Sequence, residues 1–271
     1  MSRPVALAKV AQLALVALAL LLTGCASVPT DRTDPAGSAQ RVDPWEPWNR
    51  KVDAFNDSVD RAVLAPVAQG YREHVPSPVR TGVGNVFNNL SDVWSTANHL
   101  LQGKVRSGAE MGTRVIVNTI FGVLGVFDVA TRAELPRRPE DFGQTLGVWG
   151  VSSGPYLVLP LLGPSSLRDG VGLAAEFSLA SPSQLPDSSA ASAGVVGLQV
   201  VQTRSELLDA TALLDEVALD RYSFTRDAYL QRRRSQVHDG APPLDFGEFE
   251  DEEVDEGAED LPAPHDRPAT P

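Results

Sequence analysis

Gly150-Val151-Ser152-Ser153-Gly154 has the G-x-S-x-G spacing of a nucleophile turn, in which a serine hydroxyl is raised on a sharp bend between a strand and a helix. Here Pro155 and the run Tyr156-Leu157-Val158-Leu159-Pro160 follow, so no helix starts directly behind the serine. Downstream of Ser152 the only histidines are His238 and His265, both in or beside a polar C-terminal stretch. The reading is a Gly/Ser turn rather than an acyl-transfer site. His74, His99, His238 and His265 are scattered, with neither the H-x-x-x-H nor the H-E-x-x-H spacing that zinc needs. The acidic cluster Glu248–Glu253 lacks the glycine-punctuated loop of a calcium site and reads as a solvated tail or a docking segment. No P-loop or dinucleotide fingerprint is present. The sequence therefore assigns no catalytic, cofactor-binding or metal-binding residue and points away from an enzyme.

The cysteine is a different matter. Arg3 and Lys9 precede an apolar run from Leu13 to Leu22, and Leu22-Thr23-Gly24-Cys25 follows. This is a charged region, a short hydrophobic region and a small-residue cleavage site, too short for a membrane span of ~20 residues. The four residues match a lipobox, in which the cysteine thiol is acylated before the chain is cut. Cys25 is the only cysteine in the chain, so the mature protein can form no intramolecular disulfide and no cysteine-based metal site. Ala26 follows it, rather than the Asp that holds many lipoproteins in the inner membrane. The expected address is the outer membrane, facing the periplasm.

Removing residues 1–24 of the 271 leaves 247, enough for one large domain or two small ones. The net charge of −12 is uneven. Residues 239–271 hold twelve Asp/Glu against Arg267 alone, while the body between signal and tail is nearly neutral at −3. No basic surplus suggests nucleic acid.

Residues 25–42 read as a lipidated flexible tether, and the 17 residues after Cys25 span roughly 23 Å as a random coil. From Trp48 an apolar series at helical spacing runs through Val52, Phe55, Val59, Ala62 and Val63, and Pro66 is expected to end that helix. Ser77-Pro78 supplies an N-cap and a first-turn proline for a second series, Val79 to Leu100, with Asn88-Asn89-Leu90-Ser91 as a candidate break. Val115–Val129 is apolar nearly all round, which means either a buried core helix or one that meets lipid; periodicity alone favours the core. Prolines at 155, 160 and 164 make residues 141–172 an irregular apolar wall without a strand ladder. Residues 178–192 read as a linker, helices are expected over 193–217 and 220–234, and residues 236–271 as a disordered acidic tail. Arg232-Arg233-Arg234 suits lipid headgroups or simply a helix C-terminus. The body is thus all-α, a single helical domain over 43–235 with irregular apolar loops.

What remains is lipid. Trp45 and Trp48 suit headgroup anchoring, although Trp48 lies on the apolar stripe and equally fits a core.

Several ordered motifs carry a resemblance: Asp43-Pro44-Trp45-Glu46-Pro47-Trp48-Asn49-Arg50, Asn88-Asn89-Leu90, Leu101-Gln102-Gly103, Arg114 with Asn118-Thr119, and Phe127-Asp128-Val129-Ala130. Asp141-Phe142-Gly143-Gln144-Thr145-Leu146-Gly147 continues through Gly154-Pro155-Tyr156, Leu159-Pro160 and Gly163-Pro164 to Leu167-Arg168-Asp169, and Thr203-Arg204, Leu207-Leu208-Asp209, Arg226 and Tyr229 extend the series. In these residues the chain resembles the MlaA (VacJ) family of outer-membrane lipoproteins. The resemblance implies a ring-like helical body in the inner leaflet of the outer membrane, surrounding an amphipathic channel and associated with a trimeric porin. Such proteins withdraw phospholipids misplaced in the outer leaflet and pass them to a periplasmic MlaC-like lipid carrier, preserving lipid asymmetry. Val115–Val129 then becomes a membrane-contacting or channel-wall segment. The expected lipid-contact or channel residues are Trp45, Trp48, Asn118, Phe121, Leu124, Phe127, Tyr156 and Leu159, with Cys25 as the lipidated residue. A structural lipoprotein that scaffolds porins without conducting lipid is the alternative.

Overall fold

The computed structural model describes residues 42–180 and 189–242. The signal sequence, Cys25, the tether up to residue 41, the centre of the Ser/Ala/Pro linker and the acidic tail from residue 243 lie outside the described residues. Among the described residues the body from Trp45 onward is all-α apart from one two-stranded hairpin. In chain order it contains α1 (Glu46–Val59), a π-helical turn (Asp60–Leu64), α2 (Ala65–His74), α3 (Ser77–Leu101), α4 (Val105–Ile120), α5 (Val129–Arg132), α6 (Phe142–Val148), β1 (Tyr156–Leu159), β2 (Gly163–Ser166), α7 (Leu167–Ala180), α8 (Ser189–Val217) and α9 (Arg221–Val237).

The helices bury the faces that their sequence makes polar. On α3 the buried positions are Gly82, Asn89, Asp92, Ser95, Asn98 and His99, while Val79, Val86, Val93 and Leu100 are exposed. On α4 the buried positions are Gly108, Met111, Arg114 and Asn118, with Val105, Ile116 and Ile120 outside. From Trp45 on, eight apolar side chains are buried among the described residues against eighteen polar or charged ones. A water-soluble helix shows the opposite arrangement.

Three expectations of local structure are corrected. Pro66 does not end a helix, because the π-helical turn before it absorbs the defect. There the Ala65 amide bonds back to the Asp60 carbonyl, and the wider turn makes room for a ring that has no N–H to offer. Asn88-Asn89-Leu90-Ser91 is no break. α3 runs unbroken for 25 residues, since Asn89 turns inward to donate to Thr119 Oγ1 at 3.0 Å rather than competing with its own backbone. The residues after 141 are not wholly irregular either. Asp141 caps α6 by accepting from the Gln144 amide at 2.8 Å, and β1 pairs antiparallel with β2, Tyr156 opposite Ser166 and Leu159 opposite Gly163.

The free edge of β1 is closed by side chains of α1. Asn49 donates to the Tyr156 carbonyl at 3.1 Å and accepts from the Val158 amide at 2.9 Å. Two turns later Asn56 donates to the Leu159 carbonyl at 2.9 Å and accepts from the Leu161 amide at 2.7 Å. Two carboxamides spaced i, i+7 thus stand in for a third strand. Beneath them Val52, Tyr156, Val158 and Tyr222 form the small apolar core, with Tyr156 edge-on to Tyr222 and Tyr229 at 6.2 and 6.1 Å between ring centres. α6 and α7 cross where Gly143 meets Gly172; a β-carbon on Gly172 would come within 2.5 Å of the Gly143 nitrogen.

Asn49→Ala leaves a buried carbonyl and a buried amide without partners, at about 1–3 kcal/mol each. Thermal unfolding in detergent is expected to report a loss of about 2–4 kcal/mol, whereas Phe55→Ser on the exposed face of the same helix should stay within about 0.5 kcal/mol.

Candidate functional site: an amphipathic cavity and an apolar loop

A cavity of about 670 Å³ opens between α1, α3, the hairpin turn, α7, α8 and α9. Much of its lining is apolar. Phe87, Leu90 and Trp94 come from α3, Leu161 and Leu162 from the turn, Leu173 and Phe177 from α7, and Val196, Val200 and Leu207 from α8. The lining also carries a charged wall, with Asp53, Asp57 and Asp60 set against Arg204 and Arg221. Arg204 grips Asp60 with two nitrogens at 2.6 and 2.8 Å, and Arg221 pairs with Asp57 at 2.5 Å and with Asp215 at 3.3 Å. Burial pushes the Asp53 carboxyl up, against the pull of Arg221. Glu176, at the far end, is also pushed up by burial, against a 2.6 Å hydrogen bond that it accepts from the Phe142 amide. The site can therefore hold a molecule that has both an apolar and a charged part.

A second feature lies beyond the end of α4. The helix stops at Ile120, and Phe121–Asp128 turns back on itself instead of continuing. The expected helix over Val115–Val129 is thus half helix and half loop. Val123 and Leu124 sit at φ 52° and 57°, a left-handed conformation that side-chain-bearing residues, β-branched ones above all, seldom adopt. Backbone bonds from Leu124 to Thr119 and from Gly125 to Asn118, both 2.9 Å, hold it there. Asn85 of α3 adds a 2.9 Å bond to the Val126 carbonyl. The product is a tip with Phe121 70% and Leu124 73% exposed, and Phe127 beside them. Apolar side chains held outward by a strained backbone mark a contact surface.

Two buried cations organise the surroundings. Arg114, 1% exposed, donates to Asp128, to Thr131 Oγ1 and to the Leu135 carbonyl, and lies 3.6 Å from Asp92. It fixes the root of the apolar loop. Arg233 donates to Asp169 at 2.9 and 2.8 Å and to Asp141 at 2.9 Å, while the Tyr229 hydroxyl donates to Asp169 at 2.7 Å. That cluster clamps α6, α7 and α9 behind the cavity. Burial alone would raise the Asp169 carboxyl, but Arg233, Tyr229 and Arg168 outweigh it and hold it at about 2.

A family model described as MlaA lipoprotein matches residues 41–236. The chain belongs to the MlaA lipoprotein family. It is 40% identical over 230 residues to the intermembrane phospholipid transport system lipoprotein MlaA of Escherichia coli K12, covering 82% of this chain and 87% of the relative. Against the protein of that name from Haemophilus influenzae it is 33% identical over 225 residues, covering 82% and 88%. A solved structure described as the structural basis for maintenance of bacterial outer membrane lipid asymmetry superposes with a TM-score of 0.64 at 38% identity, over 73% of this chain and all of the other.

On this MlaA fold the eight residues expected to contact lipid or line a channel separate into groups, none of which lines the cavity, whereas the motif residues Leu90, Gly163, Pro164, Thr203, Arg204 and Leu207 do. Trp45 and Trp48 are exposed at the start of α1, and Phe121, Leu124 and Phe127 form the loop tip. Tyr156 and Asn118 are corrected. Tyr156, 1% exposed, belongs to the apolar core and is not among the residues that line the cavity. Asn118 is buried because its side chain donates to Asp128 at 3.1 Å and accepts from the Ala130 amide at 2.8 Å, which is a scaffold task. Leu159 is half-buried at the end of β1, one residue before the turn that does reach the cavity. Arg233 is likewise a buried clamp, not a headgroup ligand. Ser152 is exposed between α6 and β1, with a helix before it and a strand after it, the reverse of a nucleophile turn. Cys25 lies outside the described residues. Sequence reasoning missed the cavity walls, although Phe87, Leu90 and Trp94 repeat at i, i+3 and i+7 and Arg204 stands in one of the family motifs.

Arg233→Met leaves Asp141 without a guanidinium among the described residues, so the loss of stability at pH 7 is expected to be about 3–5 kcal/mol, read by thermal melts. Because the Asp169 carboxyl is held at about 2, its contribution to wild-type stability is complete above the ordinary value of 3.8 and disappears as pH falls from there towards 2. In the variant, burial is no longer opposed by Arg233 and the Asp141 carboxyl rises. The stability gap between the two proteins should therefore narrow from pH 7 to pH 5; a constant gap would remove the ionic account.

Proposed function

We propose that this protein is an outer-membrane lipoprotein, anchored through acylated Cys25, that withdraws phospholipids misplaced in the outer leaflet and passes them to a periplasmic lipid carrier. The observation that carries this reading is the cavity of about 670 Å³ lined by both apolar and charged residues, as the acyl chains and headgroup of a phospholipid require. Its volume falls within the range of about 300–1,000 Å³ common for sites that enclose small molecules. No helix among the described residues is long and apolar enough to cross a membrane. The apolar faces of α3 and α4 and the tip at Phe121, Leu124 and Phe127 instead support a body seated in one leaflet, where Trp45 and Trp48 suit the headgroup level. The polar interior supports the same reading, since apolar side chains turned outward gain nothing from water but lose nothing against lipid. A trimeric porin is the neighbour that the family implies for such an outward apolar surface.

The task needs no chemical step. Moving a headgroup through hydrocarbon costs several kcal/mol, and the Asp/Arg wall lowers that barrier while the opposite wall keeps the acyl chains out of water. Direction then comes from the carrier that removes the lipid on the periplasmic side.

Deleting the gene is expected to raise outer-leaflet phospholipid, measured by an enzyme that acts only on lipid exposed at the cell surface. Leu90→Arg, which puts a charge on the apolar wall, should reproduce that defect with normal protein levels and an unchanged melting temperature. Unaltered asymmetry in the deletion strain would sink the transport reading and leave a porin scaffold. Cys25→Ser is expected to abolish fatty-acid labelling and lower the membrane-bound fraction; persistent labelling would show that the anchor lies elsewhere.

A further inference from the structure

The charged wall of the cavity is not balanced. Four carboxylates border it, Asp53, Asp57, Asp60 and Glu176, against two guanidinium groups, Arg204 and Arg221. Asp60 and Asp57 are each committed to one of those arginines, and Glu176 accepts from the Phe142 amide. Asp53 has no hydrogen bond or ion pair among the described residues. It stands one helical turn before Asp57 on the same face of α1, half-buried, so two like charges flank the same stretch of wall. Arg221 and Arg50 exert a pull on it from a distance, but a half-buried carboxylate in that position, beside a carboxylate already in use, has room for a cation that enters the cavity. Arg221, paired with Asp57 and Asp215, lines the same cavity.

We propose that the cavity selects phospholipids whose headgroup carries a primary ammonium, with Asp53 as the counter-ion of that ammonium and Arg221 facing the phosphate. This rests on the lipid-cavity reading above and adds a preference to it. A primary ammonium brings three donors and a unit positive charge to Asp53. A glycerol headgroup brings neither, and its lipid carries a net negative charge into a wall that already has more carboxylates than guanidinium groups. The preference is thus set as much by repulsion of the anionic lipid as by attraction of the zwitterionic one.

The test uses the full acylated chain, incubated with vesicles of equal parts phosphatidylethanolamine and phosphatidylglycerol, with bound lipid identified by native mass spectrometry. The wild type is expected to retain the ethanolamine lipid over the glycerol lipid at a ratio of about 5:1, the size of one partly exposed ion pair. Asp53→Asn, which keeps the shape and removes the charge, should bring the ratio close to parity, and Asp53→Lys should reverse it. Equal retention of both lipids by the wild type, or an unchanged ratio in Asp53→Asn with an unchanged melting temperature, overturns the preference while leaving lipid binding intact. A wild type that retains no lipid at all overturns the cavity reading itself, and this inference with it.

Discussion

Arg114 and Arg233 are the two points on which this structure turns, because the molecule has placed its charge inside and its apolar surface outside. A guanidinium that is almost completely buried needs opposite charge and polar groups close by, and both arginines draw several segments together in finding them. Even so, the Arg114 Nε lies 3.6 Å from Asp92 without a hydrogen bond. Arg114 ties α4 to Asp92 of α3, to Asp128 and Thr131 at the start of α5, and to the backbone at Leu135. Arg233 ties α9 to Asp141 at the start of α6 and Asp169 at the start of α7. In an ordinary water-soluble domain that joining is done by apolar side chains, and the price of desolvating an ion pair makes it a poor source of net stability. Where lipid covers the outside, burying apolar groups in the core gains little over leaving them at the surface, and directional polar contacts become the means of fixing one arrangement.

The same logic explains the two asparagines of α1. A two-stranded hairpin has free edges, and a free edge near hydrocarbon leaves amides and carbonyls that nothing there can satisfy. Asn49 and Asn56 supply one donor and one acceptor each, in register with β1. Because they do so from the helix that also carries Asp53 and Asp57 and runs directly into the π-helical turn at Asp60, one continuous segment closes the sheet edge and furnishes the acidic wall of the cavity. The hairpin turn, with Leu161 and Leu162, is thereby set against that wall at a fixed distance along the helix.

Helix positions were legible in the sequence because a period of 3.6 survives whichever face is buried. Trp48, Val52, Phe55 and Val59 mark α1 correctly, yet Val52 is buried while Trp48 and Phe55 are exposed. A periodic apolar stripe says that a helix has two faces; which one turns inward depends on the solvent outside, and the residues themselves do not carry that information. The family motifs did carry it indirectly, since Asp141, Asp169, Arg114 and Asn118 all stand in them and all prove to be interior polar partners. Pro66 and Val115–Val129 were misread for a more local reason. A π-helical turn and a left-handed Val-Leu pair are conformations that no residue type prefers, and here they are imposed by Ala65 bonding to Asp60 and by the Thr119 and Asn118 carbonyls.

The cavity was hidden from sequence because its walls come from six separate elements, each contributing a few residues that are unremarkable alone. Its chemistry also argues for transit rather than storage. A site that bound a headgroup through unpaired arginines would hold a phosphate tightly, since a desolvated guanidinium–phosphate pair is among the stronger polar contacts a protein makes. Here Arg204 and Arg221 are already satisfied by Asp60 and Asp57, so an arriving headgroup must compete with a carboxylate for each of them. Entry is eased because the wall is polar, and departure is eased because the protein's own partners are waiting to re-form. The lipid passage proposed above requires departure to be as easy as entry, and arginines already neutralised by carboxylates suit that balance.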